Sequence, residues 1–290
     1  MSFKDDLKSI TGFEFEQIWQ SFFEPKFAGF YVNLLKTNSE FVKFELDKLN
    51  IKFSEILPNF FITNPQNKAI LSNSELFNSG KIYIQNPSSY LAALNLDAKS
   101  DMSVLDMCAS PGGKSIAIAG FMGIKTDLRV MEANKQRFFA LKANLSKFGC
   151  DFVRTFNKDA RSIAHTCKEQ FDRILLDAPC SGYAKFDDKF EEKSPKDIKN
   201  LSKLQKSLLN AALNALKIGG EMIYSTCTFY EQENEEVVQN ALKSKFEIEI
   251  LPIDLFGCQI QTKTSQFGTR ILPDAKFDGF FISKIKKISA

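Results

Sequence analysis

The chain has 290 residues, 44% of them hydrophobic and 25% charged, and its 38 basic and 35 acidic side chains leave a net charge of +3. That is an ordinary globular composition, long enough for one large domain or two unequal ones. It holds no apolar run of membrane-spanning length and no strongly basic tail, so a nucleic-acid partner would have to be met by a local patch.

The start, MSFKDDLKSI, carries no secretory pattern, and a cytosolic setting is expected. Apolar positions at Leu7, Ile10, Phe13, Ile18, Trp19, Phe22 and Phe23 predict helix over residues 1 to about 30. A short strand is predicted at 30–35. Asn38 or Ser39 then caps a helix to residue 49, with Phe41, Val42, Phe44, Leu46 and Leu49 as its apolar positions. Residues 58–80, rich in Asn, Pro and Ser, predict turns or short strands. Residues 1–80 therefore read as a small α+β subdomain and residues 81–290 as a larger second domain.

In the second part strands and helices alternate. A helix at 86–94 begins through Pro87 and Ser88. Strands are predicted at 103–107, 128–133, 151–156, 171–179, 222–226, 246–251 and 278–285. Helices are predicted at 115–122, 135–148, 201–216 and 231–242, the third following a mixed-charge loop at 185–200 and closed by Gly219 and Gly220. Such alternation implies a doubly wound, mostly parallel α/β sheet.

The chain is organised around residues 103–115, SVLDMCASPGGKS: strand, glycine turn, helix. Glycines there let a ligand approach the backbone, and the first helical N–H groups favour an anionic group. A phosphate-binding P-loop is excluded, because it needs glycine where Cys108 stands. The dinucleotide fingerprint GxGxxG fails as well, since the turn reads CASPGGK. S-adenosylmethionine has no phosphate and needs backbone contacts plus an acid for its ribose, so it fits better. Glu132, 20 residues after Gly112, suits the ribose hydroxyls, and Asp159 the adenine amino group; both are expected as exposed strand-end acceptors. Asp177 with Cys180, and Thr226 with Cys227, also fall at strand ends that converge on one crevice.

No CxxC pair occurs among the six cysteines, so no metal site is expected and the thiols are free. Cys180 and Cys227 both follow strands, and residue chemistry alone does not rank them as nucleophiles. The single histidine, His165, reads as surface or structural.

DMCASPGGKS, LLDAPCSG and YSTCTFYEQENEEVV, in this order and spacing, resemble the Sun (Nol/Nop/Sun) family of S-adenosylmethionine-dependent RNA cytosine-5 methyltransferases. YVNLLKTN, YIQNPSSYLAALNLD and TRILPDAKFDGFFISKI are similar to it too, so the resemblance runs from about residue 30 to the C-terminus. It implies a Rossmann-like class I methyltransferase domain at 81–290, with residues 1–80 as an RNA-side appendage to a monomer acting on rRNA or tRNA. It implies cofactor contacts at Cys108, Ala109, Ser110, Pro111, Gly112, Gly113, Lys114, Glu132, Asp159 and Asp177. It makes Cys227 the nucleophile and Cys180 the cysteine that assists product release, with Asp177 serving ring nitrogen 3 beside Lys114. A thiol is chemically needed, because carbon 5 of cytosine becomes nucleophilic only after a thiolate adds at carbon 6. The chain departs from the family's usual Arg at Tyr31 and usual Gly at Ala184. A methyltransferase for DNA or protein, or a non-catalytic RNA-binding assembly factor, are the alternatives, and retention of both thiols argues against the last.

Overall fold

Period-two alternation along the buried strands determines how the layers form. Val104 and Leu175 enter one core, with Ile116, Leu128 and Leu141, while Leu105, Ile174 and Leu176 enter another, with Leu208, Leu209 and Val237. A computed structural model describes residues 3–185 and 190–289. Residues 186–189 of the mixed-charge loop lie outside the described residues.

Four short strands, β1 (Ala28–Val32), β2 (Phe53–Leu57), β3 (Phe60–Thr63) and β4 (Ile82–Ile84), form an antiparallel sheet in the order β2-β3-β1-β4. The helix Ser39–Lys48 lies between β1 and β2; Asn38 caps it by accepting from the Phe41 N–H. The helices Phe3–Thr11 and Phe15–Ser21 turn the other way. Their Phe3, Leu7, Phe15 and Ile18 pack with Tyr183, Phe229 and Leu272.

The large sheet begins with β5 (Ser103–Asp106), β6 (Asp127–Met131), β7 (Arg154–Phe156), β8 (Phe171–Asp177) and β9 (Leu216–Thr226), parallel in the order β7-β6-β5-β8-β9. The order reverses between β5 and β8, and open α/β sheets bind ligands at such a switch point. Beyond β9 the sheet turns antiparallel through β10 (Glu247–Leu251), β11 (Thr262–Ser265), β12 (Gly268–Ile271) and β13 (Phe280–Ser289).

Two expectations need correction. The helix expected from residue 201 begins earlier, as Pro195–Ala215, because Ser194 caps it through the Asp197 N–H and Pro195 opens it. Gly219 and Gly220 do not close that helix. They lie inside β9, where the register against β8 shifts and Gly219 takes a left-handed φ of 78°. Among the described residues no helix is long and apolar enough to cross a membrane, and no group of three or more acidic, His or Cys side chains could hold a metal ion.

Candidate active site

The loop from β5 to the helix Gly113–Met122 is anchored on three sides. Met107 donates its N–H to Leu175 and Ala109 donates to Met131, tying the loop to β8 and β6. The Arg137 guanidinium reaches the Ser110 carbonyl at 2.9 Å, and Asn144 reaches the Pro111 carbonyl at 2.8 Å. From the small sheet, the Tyr31 hydroxyl donates to the Gly113 carbonyl at 2.6 Å. Gly112 turns the chain at a φ of +112°, which strains any residue with a Cβ. At Gly113 a Cβ would stand 2.8 Å from the Tyr83 ring.

Two cavities adjoin this loop, of about 300 Å³ and about 620 Å³. Both are lined by Cys108, Ser110, Asp177 and Lys185. The smaller adds Gln85, Asp106, Gly113 and Lys114, and the larger adds Glu132, Asp159, Cys180 and Cys227. The site residues named from the sequence, Gly112 excepted, therefore line one or the other of two cavities that share a wall.

Their individual environments differ. Glu132 is buried, not exposed as expected: Oε1 accepts the Asn134 N–H at 2.8 Å and Oε2 lies 3.5 Å from Arg137. Asp159 is open to solvent but occupied, forking with Arg161 and accepting that residue's N–H at 2.9 Å. The Arg161 contact holds the Asp159 carboxyl below its ordinary range. Asp177 is fixed at both oxygens, by Lys114 Nζ at 2.7 Å and Ser225 Oγ at 2.8 Å. His165 is exposed on the short helix Ile163–Thr166.

Sequence reasoning missed Asp106. It ends β5 fully buried; Ser115 donates to Oδ2 at 2.6 Å while Oδ1 has no hydrogen-bond partner. Burial pushes its carboxyl up to about 7. The available signal was an acid between apolar strand residues, immediately before the glycine turn. An unpaired buried acceptor beside a cavity suits a ligand's cationic or N–H group.

The thiols of Cys180 and Cys227 lie 3.3 Å apart, sulfur to sulfur. All six cysteines are free. The hydrogen bond between the two thiols holds the Cys227 thiol below the ordinary range, with help from Lys185, and Cys180 is pushed up by the same contact and by burial. Cys108 is also pushed well up by burial, as expected of a protonated thiol whose backbone forms the loop. The two departures from the resembled family have local roles. Tyr31 stacks between Tyr83 and Tyr90, at centroid distances of 5.4 and 5.0 Å. The Ala184 N–H donates to the Cys227 carbonyl at 3.0 Å.

A family model described as 16S rRNA methyltransferase RsmB/F matches residues 93–286. The chain is 35% identical over 237 residues to the probable ribosomal RNA small subunit methyltransferase B of Bacillus subtilis, covering 76% of this chain and 51% of that protein. It is 38% identical over 221 residues to the ribosomal RNA small subunit methyltransferase F of Salmonella heidelberg, covering 73% and 46%. The chain thus spans about half the length of the curated relatives it matches. Among solved structures, a methyltransferase homolog protein from Pyrococcus horikoshii superposes with a TM-score of 0.85 at 31% identity, covering 98% of this chain and 93% of that one. NSun6 from Pyrococcus horikoshii, solved with SFG, shares the fold at a TM-score of 0.87 and 22% identity, covering 99% and 98%.

Proposed function

The chain belongs to the 16S rRNA methyltransferase RsmB/F family, and on that premise we propose that it uses S-adenosylmethionine to form 5-methylcytosine in RNA, ribosomal RNA first, through a covalent cysteine–cytosine adduct. The observation that carries this reading is the thiol pair at 3.3 Å on the wall of a cavity that also holds Asp177 and Glu132.

The residues present fit the cofactor. Glu132 and Asp159 are acceptors at the ends of adjacent strands, suited to the ribose and the adenine amino group. Asp106 offers an unpaired buried oxygen for the methionine ammonium, beside the backbone of Cys108, Ala109, Ser110, Pro111, Gly112 and Gly113. When bound, S-adenosylmethionine supplies the methyl group.

The chain's own groups do the rest. Cys227, as thiolate, adds to carbon 6 of the cytosine, and carbon 5 gains enamine character. Asp177 and Lys114 face the edge of the ring where charge grows at nitrogen 3; the ammonium offsets that charge and the pair delivers the hydrogen bond. Cys180 keeps its proton while Cys227 attacks. After methyl transfer a base from solvent takes the carbon 5 proton, and the electrons of that C–H bond re-form the 5,6 double bond. The bond from carbon 6 to the Cys227 sulfur breaks, and Cys180 gives its proton to the departing thiolate.

We divide the chain into residues 1–80, an RNA-side appendage whose small sheet is completed by β4 from beyond that boundary, and 81–290, the catalytic domain, acting as a monomer in the cytoplasm. The stacked Tyr31, Tyr83 and Tyr90 support a role for the small sheet in shaping the cavity. The test is incubation with isotopically labelled cofactor and, separately, 16S rRNA, tRNA and duplex DNA, followed by bisulfite sequencing. Methylated cytosine in RNA is expected; label only in DNA or protein overturns the reading.

A further inference from the structure

Residues on both sides of each site cysteine are held by buried polar side chains. Around Cys180, Gln205 Nε2 donates to the Pro179 carbonyl at 2.9 Å, and the Ser181 N–H donates to Glu233 Oε2 at 3.0 Å. The Ser181 hydroxyl donates to Glu233 Oε1, and Gln205 Nε2 also reaches Glu233 Oε2 at 2.8 Å. Around Cys227, the Thr226 hydroxyl donates to Asn234 Oδ1, and Asn234 Nδ2 donates to the Thr228 carbonyl at 2.9 Å. Ser181 and Thr228 then join the two loops directly, oxygen to oxygen at 2.7 Å. Gln205, Glu233 and Asn234 are each 0% exposed.

We infer that the consecutive residues Glu233 and Asn234, with Gln205, are positioning residues that hold the loops of Cys180 and Cys227 in the register at which one thiol hydrogen-bonds the other. None of the three reaches the reacting atoms. A buried carboxylate on the helical turn Glu231–Glu233 is costly unless fully bonded, and Glu233 spends its oxygens on the residue after Cys180 and on Gln205. Its neighbour Asn234 uses both ends of its amide on the residues flanking Cys227. Adjacent backbone positions thus couple two loops 47 residues apart. The Cys180 thiol is pushed up by its contact with Cys227 and by burial, and the negative charge of Glu233 adds to this in the same direction. The charged and titratable groups facing Cys227 are Cys180, Lys185, Asp177 and Lys114.

The inference rests on the proposed roles of the two thiols, but its test has a readout that needs no RNA. Iodoacetamide alkylation of the full chain is followed across pH, with Cys180 and Cys227 resolved by mass spectrometry. In the parent chain Cys227 should react at lower pH than Cys180. Glu233→Ala should move the Cys227 profile up, toward a free thiol near ~8.5, and lower kcat for methyl transfer by roughly 10- to 100-fold with little change in the KM for S-adenosylmethionine. Glu233→Gln keeps an acceptor for the Ser181 N–H and should restore part of both. Thr228→Val removes the bridge between the loops and the Thr228 hydroxyl's contact with Glu233, keeps the Thr228 carbonyl for Asn234, and should move the Cys227 profile the same way, which covers the case of Glu233→Ala failing to fold. An unmoved Cys227 profile in Thr228→Val, or in a folded Glu233→Ala, overturns the inference whatever the activity. If the parent chain methylates no RNA, the functional reading fails while the alkylation profiles still judge the positioning.

Discussion

The Tyr31 hydroxyl donates a 2.6 Å hydrogen bond to the Gly113 carbonyl, across the junction between the small sheet and the helix Gly113–Met122. Tyr31 is buried on β1, and burial keeps its phenol protonated and therefore a donor. The bond fixes the turn at Gly113, which lines the smaller cavity, so the small sheet supports the proposed cofactor loop directly.

Tyr31→Phe removes that hydroxyl and keeps the ring stack. It should cost about 1 to 2 kcal/mol, the worth of a buried hydrogen bond, and weaken S-adenosylmethionine several-fold. Thermal melting and titration calorimetry measure the two effects separately. A loss of stability with unchanged affinity would mean that the bond holds the fold and not the cavity.

Glu132 and Asp159 should differ in what their removal does. Glu132→Ala takes its acceptor from the Asn134 N–H and should cost about 1 kcal/mol of stability as well as affinity. Asp159→Ala frees an exposed Arg161 and removes a cap worth about 1 kcal/mol. Both should weaken S-adenosylmethionine by roughly 10- to 100-fold, as for hydrogen bonds to charged acceptors. Calorimetry showing undiminished affinity in both variants would remove them from the cofactor site.

Asp106 should give folding stability a pH dependence. Its folded carboxyl is pushed up from 3.8 to about 7 by burial, so the unfolded chain loses this proton first as pH rises. The native state therefore loses stability relative to the unfolded one between about pH 4 and 7, by on the order of 4 kcal/mol in total, and is level above that. Asp106→Asn cannot titrate. Urea denaturation of both chains at pH 5, 6, 7 and 8 should show the stability difference moving in favour of the Asn variant as pH rises to 7. A difference independent of pH would show that Asp106 ionises normally.

Much of this architecture was legible in local chemistry. The turn at Gly112 and Gly113, and the acids Glu132, Asp159 and Asp177, were readable because buried strands of apolar residues end abruptly in polar ones. β11 and β12 were not, since TKTS and GTRI are short and polar and are stabilised by pairing toward β13. Gly219 and Gly220 follow a helix closely enough to resemble its stop, yet register against β8 decides their place. Glu233 and Asn234 look like surface residues of an acidic run, EQENEE, but Glu233 is buried against Ser181 and Gln205 and Asn234 against Thr226 and Thr228. Asp106 was hidden for the opposite reason, inside a strand read for its hydrophobic content.

The two cysteines should separate by the covalent state they leave behind. If the Cys227 thiolate adds to carbon 6, Cys227→Ala should abolish methyl transfer and leave no adduct, because carbon 5 is never activated. If Cys180 assists release, Cys180→Ala should still attack and methylate but remain bonded to its RNA. That species should survive denaturation as a retarded gel band and collapse with ribonuclease. Cys180→Ala also removes the hydrogen bond that lowers the Cys227 thiol, so adduct formation should be slower than release-blocking alone implies and should recover at higher pH. General destabilisation gives the same loss in both variants and no trapped band. An adduct in Cys227→Ala and none in Cys180→Ala would reverse the roles, and none in either at any pH would leave covalent catalysis without support in this chain.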